Sequence, residues 1–154
     1  MQRLMHQLKY KGNKDLGFQL GTMMGKKIAD SGRFYPDVLV PLPLFPSRER
    51  KRGYNQAQVL CEGMSEILRI PVVSNAVSRP MFTETQTKKG RVERWKNIEG
   101  KFVLDKPALL ANRSVMLVDD VITTGATLES CGIEILKAEN VELSLLTLCY
   151  ASRT

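Results

Sequence analysis

Two adjacent carboxylates, Asp119 and Asp120, close an unbroken apolar run, Val115-Met116-Leu117-Val118. They are followed within a few residues by Thr123-Thr124-Gly125-Ala126-Thr127. Carboxylates accept hydrogen bonds from hydroxyls, so the acid pair suits a diol. Threonine hydroxyls, the free N–H groups of a turn that opens a helix, and the positive end of that helix's dipole suit an anion. Gly125 lets the backbone approach a phosphate closely. A diol beside a phosphate is what a 5-phosphorylated ribose presents. The blander use of the same residues has Thr124 or Thr127 capping the helix and the acids on a solvated strand end. Other nucleotide sites lack their patterns here, because the chain carries neither G-x-x-x-x-G-K-[ST] nor G-x-G-x-x-G.

Such residues need a strand to deliver them and a helix to receive the loop. Ser114–Val118 reads as that strand, apolar throughout as a strand covered on both faces should be. A helix over Ala126–Lys137 follows, with Leu128, Cys131, Ile135 and Leu136 facing inward. Earlier, the spacing of Leu16, Leu20, Met23, Met24 and Ile28 predicts a helix over Lys14–Ala29, in which Gly17, Gly21 and Gly25 would let another element pack closely. Asp37–Val40 reads as a short buried strand ended by Pro41 and Pro43. A loop through the basic cluster leads to a helix over Asn55–Leu68. Pro71–Val73, Phe102–Leu104 and Val141–Leu148 read as extended. Strands alternating with helices predict an α/β fold with a mainly parallel central sheet flanked by helices. Ligands of such sheets sit at the carboxyl ends of the strands. From Arg79 to Gly100 the chain is polar, basic and aperiodic, which predicts a long flexible loop.

The 154 residues suit a single domain spanning 1–154, and 25% charged with 43% hydrophobic residues describes an ordinary globular protein. No run of 18 apolar residues is present, so no membrane insertion is expected. The N-terminus lacks the apolar core of a signal peptide, and the expected location is cytoplasmic. Cys61, Cys131 and Cys149 sit in apolar patterns with no C-x-x-C pair and a single distant histidine, His6. They read as reduced core thiols rather than zinc ligands. The net charge of +7 is concentrated: Arg48, Arg50, Lys51 and Arg52 against Glu49 make +3, and Arg79–Lys101 makes +4. Two such patches attract phosphates, whether of a nucleotide or of a nucleic acid.

Val115–Thr127 resembles the thirteen-residue signature of type I phosphoribosyltransferases: four hydrophobics, two acids, then small and threonine-rich residues. Leu8-Lys9-Tyr10-Lys11-Gly12, Val40-Pro41-Leu42-Pro43, Arg52-Gly53-Tyr54-Asn55-Gln56-Ala57 and Arg94-x-x-Asn97-x-x-Gly100-x-Phe102 resemble the ComF family of competence-associated phosphoribosyltransferase-like proteins. Many members of that family begin with a cysteine-rich zinc ribbon, which this sequence lacks. The resemblance implies a type I phosphoribosyltransferase-like fold with a flexible loop over the site. It also implies phosphoribosyl pyrophosphate as ligand and Mg²⁺ as cofactor, the metal held largely by ligand oxygens with no protein side chain assigned to it.

The roles it implies are these. Asp119 and Asp120 bind the ribose hydroxyls, and Thr123, Thr124, Gly125, Ala126 and Thr127 bind the 5-phosphate. The turn around Leu42–Leu44, with Pro43 and Leu44, matches the pyrophosphate-binding loop, and Arg48 and Arg52 lie just beyond it. Lys88, Lys89, Arg91 and Arg94, in the flexible loop, are further pyrophosphate ligands, and Arg91 and Arg94 join the two acids as catalytic residues. The implied reaction is displacement of pyrophosphate from C1 of the ribose by a nitrogenous nucleophile. No residue identifies the acceptor, although Tyr10, Tyr54 and Trp95 offer rings for stacking. Two other readings stay open. One is a single-stranded-DNA-binding module of the DNA-uptake machinery, working with other competence proteins through the two basic segments. The other is a sensor that binds phosphoribosyl pyrophosphate without turnover.

Overall fold

A computed structural model of the chain describes residues 7–8, 13–80 and 102–151. Helix α1 spans Lys14–Ser31. Asn13 caps it by accepting from the Leu16 N–H at 3.0 Å, and Gly32, in the left-handed region at φ 60°, ends it. Strand β1, Val38–Pro41, follows. The basic cluster, expected as a loop, forms a short helix instead, α2, Pro46–Arg52. Its local signals are all present: proline in the first turn, Glu49 near the positive end, Arg50, Lys51 and Arg52 near the negative end, and Gly53 at φ 81° as the stop. Helix α3 spans Gln56–Leu68, capped by the Asn55 side chain on the Ala57 N–H.

Strand β4, Ser114–Ile122, is the centre of the sheet. It pairs in parallel with β1, Val38 opposite Val115, and with β5, Glu142–Tyr150, Ser114 opposite Glu142. On the far side of β1, Val72 bridges Leu39 in parallel, with the Leu39 N–H donating to Pro71 O and the Val73 N–H to Leu39 O. The expected parallel α/β sheet is therefore present. Phe102–Leu104, expected as a strand, does not join it: β3, Val103–Leu104, pairs antiparallel with β2, Val77–Ser78, as a separate ribbon. Helix α4, Ala126–Ile135, lies between β4 and β5 in the chain.

Side chains alternate across β1 and β4, so each strand feeds two cores. Val38, Val40, Val115 and Leu117 pack with Leu128, Cys131 and Ile135 of α4 and with Phe102. Leu39, Met116 and Val118 pack on the other face with Met24, Ile28, Leu60, Cys61 and Met64 of α1 and α3. The α1–α3 crossing brings backbone against backbone: a Cβ on Gly21 would lie 2.2 Å from the Leu60 carbonyl oxygen, and one on Gly63 would lie 2.2 Å from that of Phe18. That contact turns the glycine side of α1 inward, so Met23, expected on the buried stripe, is 62% exposed. Leu136, expected to face inward, lies past the end of α4 and is exposed. All three cysteines are free; Cys61 and Cys131 are buried and Cys149 is half-buried. Burial pushes the Cys61 thiol up and raises that of Cys131 to about 12. No helix among the described residues is long and apolar enough to cross a membrane.

Candidate functional site

The two carboxylates were expected to end a strand that stops at Val118. Instead β4 continues through them to Ile122, with Asp119 opposite Thr147 and Val121 opposite Cys149 of β5. Strand geometry therefore sends the acids to opposite faces of the sheet. Asp119, half-buried, lies on the side of α4, where its charge reaches the Cys131 thiol. Asp120, 8% exposed, lies on the side of α3, where its charge reaches the Tyr54 phenol. The Asp119 carboxylate accepts from the Asp120 N–H at 2.8 Å, which holds it against its own backbone.

Beyond Ile122 the chain turns tightly into α4. Thr123 and Thr124 are exposed, and the Thr124 hydroxyl accepts from the Ala126 N–H at 3.4 Å. Gly125 caps the helix at φ 84°, a conformation that a side chain would strain although a Cβ would meet only an ordinary contact, 3.6 Å from Ile122 Cδ1. The turn is held from below as well, since the Ala151 N–H donates to Ile122 O at the end of β5. Thr127 is half-buried in the first turn of α4. Thr123–Thr127 thus form one surface with exposed hydroxyls and the N-terminal amides of a ten-residue helix.

The second turn stands on the neighbouring strand. The Leu42 N–H donates to Val118 O at 2.8 Å, one peptide before Asp119, and the Asn55 side-chain amide donates to Leu42 O at 3.0 Å. Pro43 and Leu44 are half-buried between that anchor and Phe45, which opens α2. An open pocket of about 500 Å³ lies beside this turn, bounded by Pro41, Pro43, Leu44, Ser74, Ser78 and Arg79 among others. Arg48 is exposed, 5.7 Å from the Phe45 ring. Arg52 turns to the other side, donating to the Gln56 side chain at 2.9 Å. Lys88, Lys89, Arg91, Arg94, Trp95 and Tyr10 lie outside the described residues.

Three residues of the Arg52–Ala57 stretch have parts that sequence reasoning did not assign. Tyr54, 6% exposed, donates its hydroxyl to the Leu8 carbonyl across the base of α1. Burial raises its pKa, opposed by a hydrogen bond from Gln56 and the charge of Arg52, and supported by the charge of Asp120. Asn55 serves the α3 cap and the Leu42 anchor together. Gln56 is 2% exposed and accepts from the Arg52 guanidinium at 2.9 Å. The signal was a run of polar residues opening a helix whose inward positions, among them Ala57, Leu60, Cys61 and Met64, are apolar. The fourth unassigned residue is Arg79, whose guanidinium lies 3.9 Å from the Phe45 ring centroid and 5.0 Å from that of Phe102.

No protein-family model matches the chain. It is 30% identical to the DNA utilization protein YhgH of Escherichia coli K12 over 150 residues, which is 95% of this chain and 65% of that protein. It is 42% identical to competence protein F of Haemophilus influenzae over 97 residues, 60% of this chain and 41% of that protein. The chain thus spans less than two thirds of the length of either relative. Among solved structures, glutamine phosphoribosylpyrophosphate amidotransferase from B. subtilis, complexed with ADP and GMP, matches with a TM-score of 0.61 at 16% identity. That match covers 93% of this chain and 30% of that one, and it speaks to the fold.

Proposed function

The chain is a homologue of competence protein F and YhgH with the fold of type I phosphoribosyltransferases, and from that premise we propose that it binds phosphoribosyl pyrophosphate with Mg²⁺ and transfers the phosphoribosyl group to a nitrogenous acceptor during DNA uptake or use. One observation carries the reading. Two turns stand side by side on adjacent parallel strands, Thr123–Gly125 after β4 and Leu42–Leu44 after β1, with Asp119 and Asp120 just below. Adjacent strands lie roughly 5 Å apart. That arrangement suits a ligand with a phosphate at each end and a diol between them.

In this reading Thr123–Thr127 hold the 5-phosphate and the two acids accept from the ribose hydroxyls. The turn Leu42–Leu44, with Arg48 beyond it and Lys88, Lys89, Arg91 and Arg94 of the basic segment, takes the pyrophosphate, while Arg52 is held away from it by Gln56. The described residues include no group of three side chains able to hold a metal alone. Asp119, half-buried beneath the Thr123–Gly125 turn, still fits Mg²⁺, which binds through one or two carboxylates and the ligand's own phosphates. The ion would supply charge neutralisation on the departing pyrophosphate. The acceptor nitrogen's lone pair bonds to C1, the bond from C1 to the pyrophosphate oxygen breaks with its electrons leaving on that oxygen, and the acceptor loses a proton. Charge at C1 rises towards an oxocarbenium ion, as in glycosyl transfer generally. The protein's work is to align the two ends of the ligand.

Calorimetry with phosphoribosyl pyrophosphate, with and without Mg²⁺, tests the binding step. Asn at both 119 and 120 should weaken it by about 150-fold or more, from hydrogen bonds to charged groups worth about 1.5–3 kcal/mol each. Equal binding by the variant sinks the assignment. Pyrophosphate release that depends on one base in a panel separates an enzyme from a sensor.

A second reading is favoured by α2, which exposes Arg48, Arg50 and Lys51 on one short helix. Such a surface suits a single-stranded DNA backbone. With about five phosphates neutralised, the log–log salt slope would be about −3.5. A flat salt response rejects it.

A further inference from the structure

We propose that Arg79 is a positioning residue for the pyrophosphate end of the site, acting through Phe45. The inference rests on the reading above. Arg79 follows β2 directly and Phe102 precedes β3, so both belong to the antiparallel ribbon. Two further bonds close that ribbon, from the Asp105 and Lys106 N–H groups to Ala76 O. Phe102 is 4% exposed and packs in the same core as Val38, Val40 and Leu42. The ribbon is therefore a fixed support, and the Arg79 guanidinium projects from it to lie against the Phe45 ring.

Phe45 is the residue at which the Leu42–Leu44 turn ends. The start of the turn is tied to the sheet by Val118 and to α3 by Asn55. Among the described residues, its end is tied by backbone bonds to α2 alone, those from Arg48 and Glu49 to Phe45 O. α2 is seven residues long and buries none of them, so it is a weak anchor. The stacked guanidinium joins this end to the ribbon and holds Pro43 and Leu44 between two fixed points. A planar guanidinium between two aromatic faces does this where a lysine ammonium does not, because the ammonium has no face to stack.

The test uses the intact chain and two probes measured separately by calorimetry, inorganic pyrophosphate with Mg²⁺ and ribose 5-phosphate. Arg79→Lys and Phe45→Leu should each weaken pyrophosphate binding by about tenfold while ribose 5-phosphate stays within about twofold. Phe45→Tyr, which keeps the ring, should bind as the unaltered chain does, and so should Lys26→Ala on the exposed side of α1. Loss in Arg79→Lys without loss in Phe45→Leu overturns the proposal, because Arg79 would then meet the ligand itself. Unchanged binding in Arg79→Lys overturns it as well, and so does an equal loss of both probes. An unaltered chain that binds neither probe nor phosphoribosyl pyrophosphate overturns the underlying reading instead, and this proposal with it.

Discussion

The two turns at the top of the sheet are built in different ways. The one after β4 is contiguous: nine strand residues, a turn of three and a helix of ten follow one another without interruption. Its shape comes from within, from Gly125 at φ 84° and the Thr124 hydroxyl on the Ala126 amide. The turn after β1 is assembled from a distance. Val118, Asn55 and Arg79 hold it, and none of the three is its neighbour in the chain. A self-shaped turn withstands change elsewhere and fails on change within. A turn shaped by remote contacts does the opposite. The two ends of the proposed ligand are thus supported independently, and substitutions should separate them.

The largest effect is expected at Gly125. Valine there must adopt a left-handed backbone, at a cost of about 2–3 kcal/mol, read as a fall in the urea midpoint. Ribose 5-phosphate binding should be lost while Mg²⁺-pyrophosphate binding persists. Loss of both would break the contrast. Alkaline pH probes the ground beneath the same end. Burial raises the Cys131 thiol from 9.0 to about 12, opposed by the charge of Arg79 and helped by Asp119 and Glu134. A pKa raised on folding gives stability that is complete below pH 9 and is lost as pH climbs towards 12, at about 1 kcal/mol per pH unit. Cys131→Ala should lessen that decline, to which the buried Cys61 thiol still contributes, and an unchanged slope in urea titrations at pH 8 to 11 would refute it.

Asn55→Asp comes next. It keeps the oxygen that caps α3 and loses the donor to Leu42 O, so about 1 kcal/mol of stability should go, with pyrophosphate affinity falling more than ribose 5-phosphate affinity. Equal losses would mean that Asn55 acts only as a cap. The smallest effect belongs to Arg48→Ala. The side chain is exposed, so stability should move by at most about 0.5 kcal/mol. If α2 meets single-stranded DNA, the same change should lower the salt slope by about 0.7.

The contrast also explains what could be read from the chain alone. Unbroken apolar runs and stripes at helical spacing predicted the parallel sheet, α3 and α4 to within two residues at most ends. The acid pair and the threonine-rich loop were visible because all their determinants lie within Val115–Thr127. The helix over Pro46–Arg52 was missed although its caps were present, because seven mostly charged residues carry no apolar periodicity. The extension of β4 through Asp119 and Asp120 was missed for a related reason: carboxylates read as the end of a strand unless a neighbour is known to pair with them, and β5 does so.

By itself, then, the sequence determined the strands of the parallel sheet and the helices α1, α3 and α4, most of the apolar positions they bury, and the shape of the one turn whose forces act between near neighbours in the chain. Tertiary structure alone decided that Asp119 and Asp120 face opposite sides of the sheet, that Tyr54 closes on Leu8, and that Arg79 lies between Phe45 and Phe102. The reason is range. Hydrogen bonds and stacking between residues 23 to 76 positions apart, such as Arg79 with Phe102 and Leu42 with Val118, leave no periodicity in the chain and exist only once the sheet has set the distance between them.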